Sequence, residues 1–582
     1  MRKSFSWLLF SISCLFIFSS CSNPGEAGFF SSNIRLVSEV SGPWDSIKNP
    51  ILQKGQVIGV AELFSDSLLS HRYQLNSWRG ERVHVQVAVK ASKPGDGKFS
   101  LDISPLVNEN GDQLPASSVS VSRLSFILTD EYRSGCGYRP DASAYYTSKV
   151  TDPLLSVGDS SFTDSSTDSV AFFWISIQVP QDAQPGTYQA NVYTSNNNKL
   201  DLDVTVSNQI LPAAKDWSFD LDLWQHPAAI ARVHGLSLWS KEHYEKMRPY
   251  YEQLAAAGQK NITASIVHEP WGHQTFDDFP SLIKWTKKKD GSWTFDYSRF
   301  DEYVEFVMSC GISKRINCYS IIPWKMMVRY FDEATQQDTS IATEINTPAY
   351  AATWKPMLES FTSHLKEKNW FPKTTIAMDE RPMPAMKTAI ALLKSIDPSW
   401  KIALAGDYHP EIEKEIFDYC VASRWSLEDA VMERRLAAKL PTTFYTCCTE
   451  AYPNGFSFSP PAEHVFLGWF AQAKGFTGYL RWAYNSWTRS PLTDSRYTAW
   501  PAGDTYQVYP GPSSSIRFEK LVEGIQDYEK IRILKDTWTR AGDSEKLKKL
   551  DSILAGIEIK SLAGTPSADL IASVKKLLRE LE

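Results

Sequence analysis

The sequence predicts a multidomain protein in which an N-terminal all-β sandwich precedes a (β/α)8 barrel with a short C-terminal helical extension. Three observations lead there. The 582-residue chain is long enough for two or more domains. Residues 34–206 carry repeated apolar/polar alternation with a period of two, as half-buried strands require. From Trp217 onward, short apolar runs alternate with amphipathic helical segments, the pattern of βα units.

The first 21 residues place Arg2 and Lys3 before an apolar stretch from Trp7 to Phe18, then Ser19, Ser20 and Cys21. The stretch is too short for a membrane span and ends in small residues, so it reads as an export signal that is removed. Phe18-Ser19-Ser20-Cys21 is similar to a bacterial lipoprotein cleavage box, with Phe18 in place of the usual Leu. Lipidation at Cys21 and a location in the periplasm or on the outer-membrane surface are therefore expected, with a simple secretory signal as the alternative. Residues 22–33 read as a tether.

In the sandwich, assigned to 34–206, Val83, Val85, Val87 and Val89 alternate with His84, Gln86 and Ala88. Trp174 to Val179, Tyr188 to Tyr193 and Leu200 to Val206 repeat the pattern, and Pro185-Gly186 supplies a turn between two of these runs. Residues 207–216, with Pro212, read as a linker. In the barrel, assigned to 217–541, the expected strands are Phe219–Gln225, Ile262–His268, Arg315–Ile322, Thr374–Met378, Lys401–Gly406, Val421–Trp425, Thr442–Thr449 and Gly478–Tyr484. The helices include Glu242–Ala257, Tyr350–Lys368, Pro384–Ser395, Glu428–Lys439 and Ala462–Lys474. Ile283–Phe295 reads as a hairpin turning at Asp290-Gly291, inserted over the barrel mouth. Residues 542–582, rich in Lys, Leu and Glu at helical spacing, read as a cap on the barrel.

Composition narrows the function. A formal net charge of −6 and the lack of a long basic run exclude nucleic acid, since phosphate binding needs clustered Lys and Arg. The cysteines beyond Cys21 are Cys136, Cys310, Cys318, Cys420, Cys447 and Cys448, without C-x-x-C pairs or zinc-site spacing. Neither a disulfide framework nor a metal site is expected, and most of these thiols should be buried as small apolar groups. No Rossmann glycine fingerprint or P-loop is present, so no cofactor is expected. The chain has 20 Trp and 25 Tyr, flat rings with polar tips that suit sugar faces or a large core.

The chemistry concentrates at Asp379-Glu380, where the apolar run Thr374–Met378 stops and Arg381-Pro382 begins. Consecutive strand residues point to opposite faces, so two adjacent acids serve one site only where the strand ends and the backbone turns. Held together, they do not ionise equally: one keeps its proton near neutral pH while the other carries the charge, as a glycosidase acid requires. A solvated surface pair is the competing reading, weakened by the position at a strand end. Other expected strand ends reach the same rim: His226, His268-Glu269-Pro270-Trp271, Trp324, Trp425, Glu450, and Trp482-Ala483-Tyr484-Asn485-Ser486-Trp487. Together they describe a cup for a pyranose ring. Trp271, Trp425, Trp482 and Trp487 offer stacking faces, and His226, Asn485 and Asp504 are candidate hydroxyl partners.

The segment Leu480 to Tyr528 has W-x-Y-N-S-W, Gly503-Asp504, Tyr509-Pro510-Gly511, Ser515-Ile516-Arg517 and Gly524-Ile525-Gln526-Asp527-Tyr528. It resembles the C-terminal signature of glycoside hydrolase family 123, and Trp78-Arg79-Gly80-Glu81 with the alternating valines resembles the N-terminal domain of that family. The resemblance implies a β-N-acetylgalactosaminidase whose adjacent Asp-Glu pair maps onto Asp379 and Glu380. It implies a retaining mechanism in which the substrate's 2-acetamido oxygen attacks the anomeric carbon, so no enzyme nucleophile is needed. Glu380 is then the acid and later the base, Asp379 orients the acetamido N–H and stabilises positive charge, and Tyr445 or Tyr484 donates to the acetamido oxygen. The partner is a glycan or glycolipid bearing a 2-acetamido sugar, with the membrane met only through the lipid anchor. Two rivals remain: a conventional retaining glycosidase with Glu380 as acid/base and Glu450 as nucleophile, and a non-catalytic surface glycan-binding lipoprotein.

Overall fold

The computed structural model describes residues 26–40, 55–65, 68–91, 99–130, 136–137, 147–156, 162–164 and 169–582. The export signal and Cys21 lie outside the described residues. No helix among the described residues is long and apolar enough to cross a membrane.

The strand-rich N-terminal domain consists of two sheets. One runs Ala27–Phe30, Arg82–Lys90, Val170–Gln178, Val119–Asp130, Thr147–Ser156, Arg35–Val40, Val57–Gly59; the other runs Arg72–Arg79, Lys199–Ile210, Gly186–Thr194, Phe99–Ile103, Phe162–Asp164. Val83, Val85, Val87 and Val89 of the first sheet share one core with Val192, Leu200, Leu202 and Val204 of the second. The expected alternation is present, but Arg82–Lys90 is buried on both faces. Its polar residues find buried partners: His84 Nδ1 lies 3.0 Å from Ser176 Oγ and Nε2 lies 3.4 Å from Glu519, and Gln86 Nε2 donates to the carbonyls of Ser31 and Ile34. Strand periodicity therefore located the element but did not reveal that its polar face docks on the rest of the chain. Three features differ from expectation. Ala27–Phe30 is a strand inside the expected tether, Lys199–Ile210 extends into the expected linker, and the domain is not all-β, since Val60–Ser65 is helical.

The eight parallel barrel strands are Asp220–Leu223, Asn261–Ser265, Arg315–Tyr319, Thr374–Met378, Lys401–Gly406, Asp418–Ala422, Thr442–Tyr445 and Gly478–Arg481, each hydrogen-bonded to the next except the first pair. The first and last strands pair, so the barrel is nearly closed. Only a single bridge, Leu221 to Gln259, joins strands one and two. Side-chain amides seal that seam: Gln259 accepts from the Leu223 N–H at 2.9 Å, and Gln225 accepts from the Thr263 N–H at 2.9 Å. The connection between strands five and six carries no α-helix, only the 3-10 turn Glu413–Glu415. The hairpin after strand two is present as Lys284–Lys287 and Trp293–Asp296, and it joins a second hairpin, Met327–Asp332 and Gln337–Ala342, in a four-stranded sheet.

The barrel's lower interior is polar. Arg315 pairs with Asp220, donates to Asn261 Oδ1 at 2.8 Å and lies 3.5 Å from Asp418. Asn317 bridges Asp222 and Thr375 at 3.1 and 2.6 Å. Burial, and then the Asp418 carboxylate, push Asp222 up to about 8, so this floor holds a proton at neutral pH.

The two domains meet at Asp152, buried on the strand Thr147–Ser156. It accepts from Arg35 at 3.1 Å, Arg517 Nε at 2.8 Å and Tyr509 at 2.5 Å. Ser514–Ser515, just before the long helix Ile516–Ala541, adds an edge strand to the same element. The C-terminal helices Ser544–Ala555 and Ser567–Leu581 do not cap the barrel. They pack on the barrel helix Ala462–Lys474 and reach the N-terminal domain, where Ser567 bonds Gln56 at 2.7 Å and Trp78 Nε1 donates to Glu582 at 3.0 Å.

A disulfide joins Cys136 to Cys448 across 312 residues, with Cα atoms 5.0 Å apart, contrary to the expectation of none. The pair bridges the two domains, so no local spacing announces it. Cys310, Cys318 and Cys420 are buried free thiols, as expected.

Candidate active site

Thr375 and Ala377 alternate inward along strand four, and Asp379 continues that row one step past the strand end. The Arg381 N–H then bonds the Asp379 carbonyl at 2.6 Å, a tight turn that swings Glu380 to the same side. Asp379 and Glu380 consequently face one cavity of about 180 Å³, lined also by Trp224, Trp271, Trp324, Trp482, Trp500, Tyr445, Gln274, Leu480, Cys447, Thr449 and the Cys136–Cys448 disulfide. It opens at the carboxyl ends of the barrel strands, where sites in this architecture lie.

The two acids differ sharply in setting. Asp379 is 7% exposed and accepts from the Trp324 indole N–H at 2.5 Å. Burial pushes its carboxyl up to about 7, with Glu380 adding to the rise and the Trp324 bond and Arg381 opposing it. Glu380 is exposed and accepts a short hydrogen bond from Tyr445, the last residue of strand seven. Burial, and next the Glu380 charge, hold the Tyr445 hydroxyl far above its ordinary range, so it stays a donor. Burial thus favours the proton on Asp379 in the free pocket, whereas the sequence reading expects that residue to carry the charge. Depth of burial decides this, and depth is not legible from adjacency.

The walls are aromatic. Trp224 and Trp271 stack at 4.7 Å and 24°, and both lean on Tyr319. Their indole nitrogens are buried without an acceptor among the described residues. Trp482 and Trp500, also in the lining, meet edge to face at 5.5 Å. Trp500 Nε1 donates to the Gln274 carbonyl at 2.9 Å, linking two loops across the mouth.

Several expected sugar contacts lie elsewhere. Tyr484 is fully buried under the barrel helices, donating to the Tyr250 carbonyl at 2.9 Å. Asn485 is turned on His226, accepting from its N–H and donating to its carbonyl, both at 2.9 Å. His226 stacks on Phe279 at 3.7 Å and sits 3.0 Å from Ser486 Oγ; burial lowers it to about 4, so it is neutral at physiological pH. Trp487 is buried with its nitrogen on the Val508 carbonyl, and Asp504 forms a fully buried pair with Arg481 at 2.6 Å. Trp425 stands outside the cavity on Asp407 at 2.8 Å. Glu450 folds back on its own loop, accepting from the Cys447 N–H at 2.9 Å and Thr449 Oγ1 at 2.8 Å. Most of these errors share one cause: the strand from Gly478 ends at Arg481, earlier than the apolar run does, and the chain beyond it turns back into the core.

The sequence reading had no place for Trp224, Trp500, Gln274 and Cys447 at the cavity. Trp224 could have been found as the next inward residue after Asp220 and Asp222. Trp500 and Gln274 come from long loops that carry no periodic signal.

Comparison with known proteins agrees with this geometry. Residues 224–534 match the glycoside hydrolase 123 catalytic domain and residues 64–196 match the glycoside hydrolase 123 N-terminal domain. A solved structure of a family 123 glycoside hydrolase from Clostridium perfringens, described for glycolipid glycan hydrolysis, is 26% identical. It aligns over 96% of this chain and 99% of its own, with a TM-score of 0.81. A Bacteroides ovatus GH5 xyloglucanase bound to a heptasaccharide is 8% identical over 78% of this chain and 98% of its own, at a TM-score of 0.28, too distant to inform the site. No curated protein matches the sequence. With its catalytic-domain match spanning the barrel and an acid pair in an aromatic pocket, this chain belongs to glycoside hydrolase family 123 and is a glycosidase.

Proposed function

We propose that the protein is a retaining, exo-acting β-N-acetylgalactosaminidase that releases terminal β-linked 2-acetamido sugars from glycans or glycolipids by substrate-assisted catalysis. The observation that carries this reading is the cavity's carboxylate content: Asp379 and Glu380 are its only acids among the described residues. Both sit on one strand end, with no further carboxylate lining the pocket to serve as a conventional nucleophile. Glu450 is held by the Cys447 N–H, Thr449 and Ser423, outside the lining, which weighs against the two-carboxylate alternative. An acetamido oxygen supplied by the substrate fills that role.

In this mechanism Glu380, open to the pocket mouth, delivers its proton to the departing glycosidic oxygen and later removes one from water. Asp379 accepts the acetamido N–H. Burial favours its neutral form in the free pocket, but the substrate N–H and the positive charge that develops on the oxazolinium ring offset that burial and hold it as a carboxylate. Tyr445, next to Glu380, is the donor in the pocket nearest to the role of acetamido-oxygen partner; Tyr484 is too remote. The unpartnered indoles of Trp224 and Trp271 pay for burial that a sugar oxygen would relieve.

The cavity volume of about 180 Å³ is well below the roughly 300 Å³ at which pockets for drug-sized ligands begin, which favours one terminal ring over an internal stretch of chain. The disulfide supports export to an oxidising compartment, in keeping with a lipoprotein processed at Cys21. The deciding assay compares paired aryl 2-acetamido-2-deoxy-β-galactosides and β-glucosides with the analogues lacking the 2-acetamido group. Turnover of the latter at a comparable rate, or a trapped glycosyl ester on Glu450, would refute the reading.

A further inference from the structure

The disulfide touches the catalytic cavity. Cys136 belongs to the strand-rich domain, yet it lines the same pocket as Asp379 and Glu380. Its neighbour Gly137 donates to the Ala499 carbonyl at 3.1 Å, one residue before the pocket wall Trp500. The barrel end of the link is held firmly: Glu450 accepts from the Cys447 N–H, and Asn454 Nδ2 donates to the Cys447 carbonyl at 2.7 Å. A hydrogen-bonded barrel loop is thus covalently tied to the other domain at the wall of the cavity.

We propose that the Cys136–Cys448 disulfide is the specificity wall that makes the pocket blind, restricting the enzyme to chain-terminal sugars. With the link opened, Cys136 is no longer covalently held against the barrel wall, and the single-ring cavity becomes an open-ended cleft. The oxidised protein is therefore the exo-acting form. Reduction by two thiol equivalents, which breaks the S–S bond and leaves Cys136 and Cys448 as thiols, admits a sugar that carries a further substituent. This deepens the exo-glycosidase reading and rests on it.

Two measurements test it. In the first, kcat/KM is compared for an aryl 2-acetamido-galactoside and for the same glycoside bearing a second sugar on a ring hydroxyl. It is measured with oxidised enzyme, after dithiothreitol, after reoxidation, and with Cys136→Ser/Cys448→Ser. The preference for the uncapped substrate should fall at least tenfold on reduction, return on reoxidation, and stay low in the variant. The second uses Cys447, whose sulfur lies within 4.8 Å of both disulfide sulfurs and lines the pocket. Its alkylation by a bulky maleimide, relative to iodoacetamide, should rise at least tenfold in the double variant. If neither aryl glycoside is turned over, the proposed function fails while the alkylation ratio still decides the wall. An unchanged alkylation ratio, or a selectivity that does not move on reversible reduction, overturns the proposal; reversible reduction decides if the variant does not fold.

Discussion

The indole N–H of Trp324 donates to Oδ2 of Asp379 at 2.5 Å, so an aromatic wall of the pocket is also the direct hydrogen-bond partner of its deepest acid. Trp324 is 39% exposed and Asp379 is 7% exposed, which places the bond at the boundary between solvent and the buried floor. A bond to the carboxylate favours its charged form and opposes the burial that raises it.

That balance predicts the pH profile. Asp379 rests at about 7 in the free enzyme, and its charged form is the one that accepts the acetamido N–H. The acid limb of kcat/KM, which reports the free enzyme, should therefore fall below about pH 7, while the acid limb of kcat lies lower because bound substrate holds the carboxylate. Trp324→Phe removes the opposing bond and should move the kcat/KM limb to higher pH. Coincident limbs in the two profiles would argue against a charged Asp379.

Asp379→Asn should lower kcat/KM on 2-acetamido glycosides by about 10²–10³, the cost of losing one preorganised electrostatic partner. A thiazoline that mimics the cyclic intermediate should bind the wild type and lose affinity in this variant. Steady-state kinetics and inhibition constants check both.

Glu380→Gln should cut kcat by about 10²–10⁴ on natural glycans, the range for general acid catalysis. An aryl substrate with a nitrophenolate leaving group needs less protonation and should lose less in the first step. Equal losses on both substrates would move the acid role away from Glu380.

Stability should respond to pH with the opposite cost. Asp379 has its folded value raised from 3.8 to about 7, so its contribution is fully present below about pH 4 and is lost as pH rises through about 7. Asp379→Asn should therefore melt higher than wild type above pH 7, with the gap shrinking toward pH 4. Differential scanning across that window reads the sign directly.

Asp504→Ala should act on stability rather than on sugar binding. It leaves Arg481 buried without its carboxylate, at a cost of about 3–5 kcal/mol. A variant of unchanged melting temperature with a raised KM would return Asp504 to the substrate site.

The parts of the molecule that follow local rules were legible in its sequence. Thr374–Met378 and Ala462–Lys474 fall where the apolar runs placed them, and the turn after Asp379 was signalled by Pro382. Tyr445 and Trp482 reached the cavity because each stands at a true strand end, whereas Trp271 enters it from the loop after strand two. Tyr484, Asn485, Trp487 and Asp504 did not, because a signature dense in Trp, Tyr and Asn serves here to lock a long loop into the core. Which acid is deeper, and which cysteines meet, depend on contacts across hundreds of residues that no window contains.

Asp152 makes the N-terminal domain more than an accessory. Its carboxylate is the counter-charge for both Arg35 and Arg517, and Arg517 in turn donates to the carbonyls of Gly455, Gly503 and Tyr506 at 2.7 Å. Excising the barrel at the linker would remove the counter-charge from the buried Arg517 guanidinium and strip one edge from the segment before the last long helix. Expression trials that truncate at the family boundary near Trp224 should therefore yield insoluble protein.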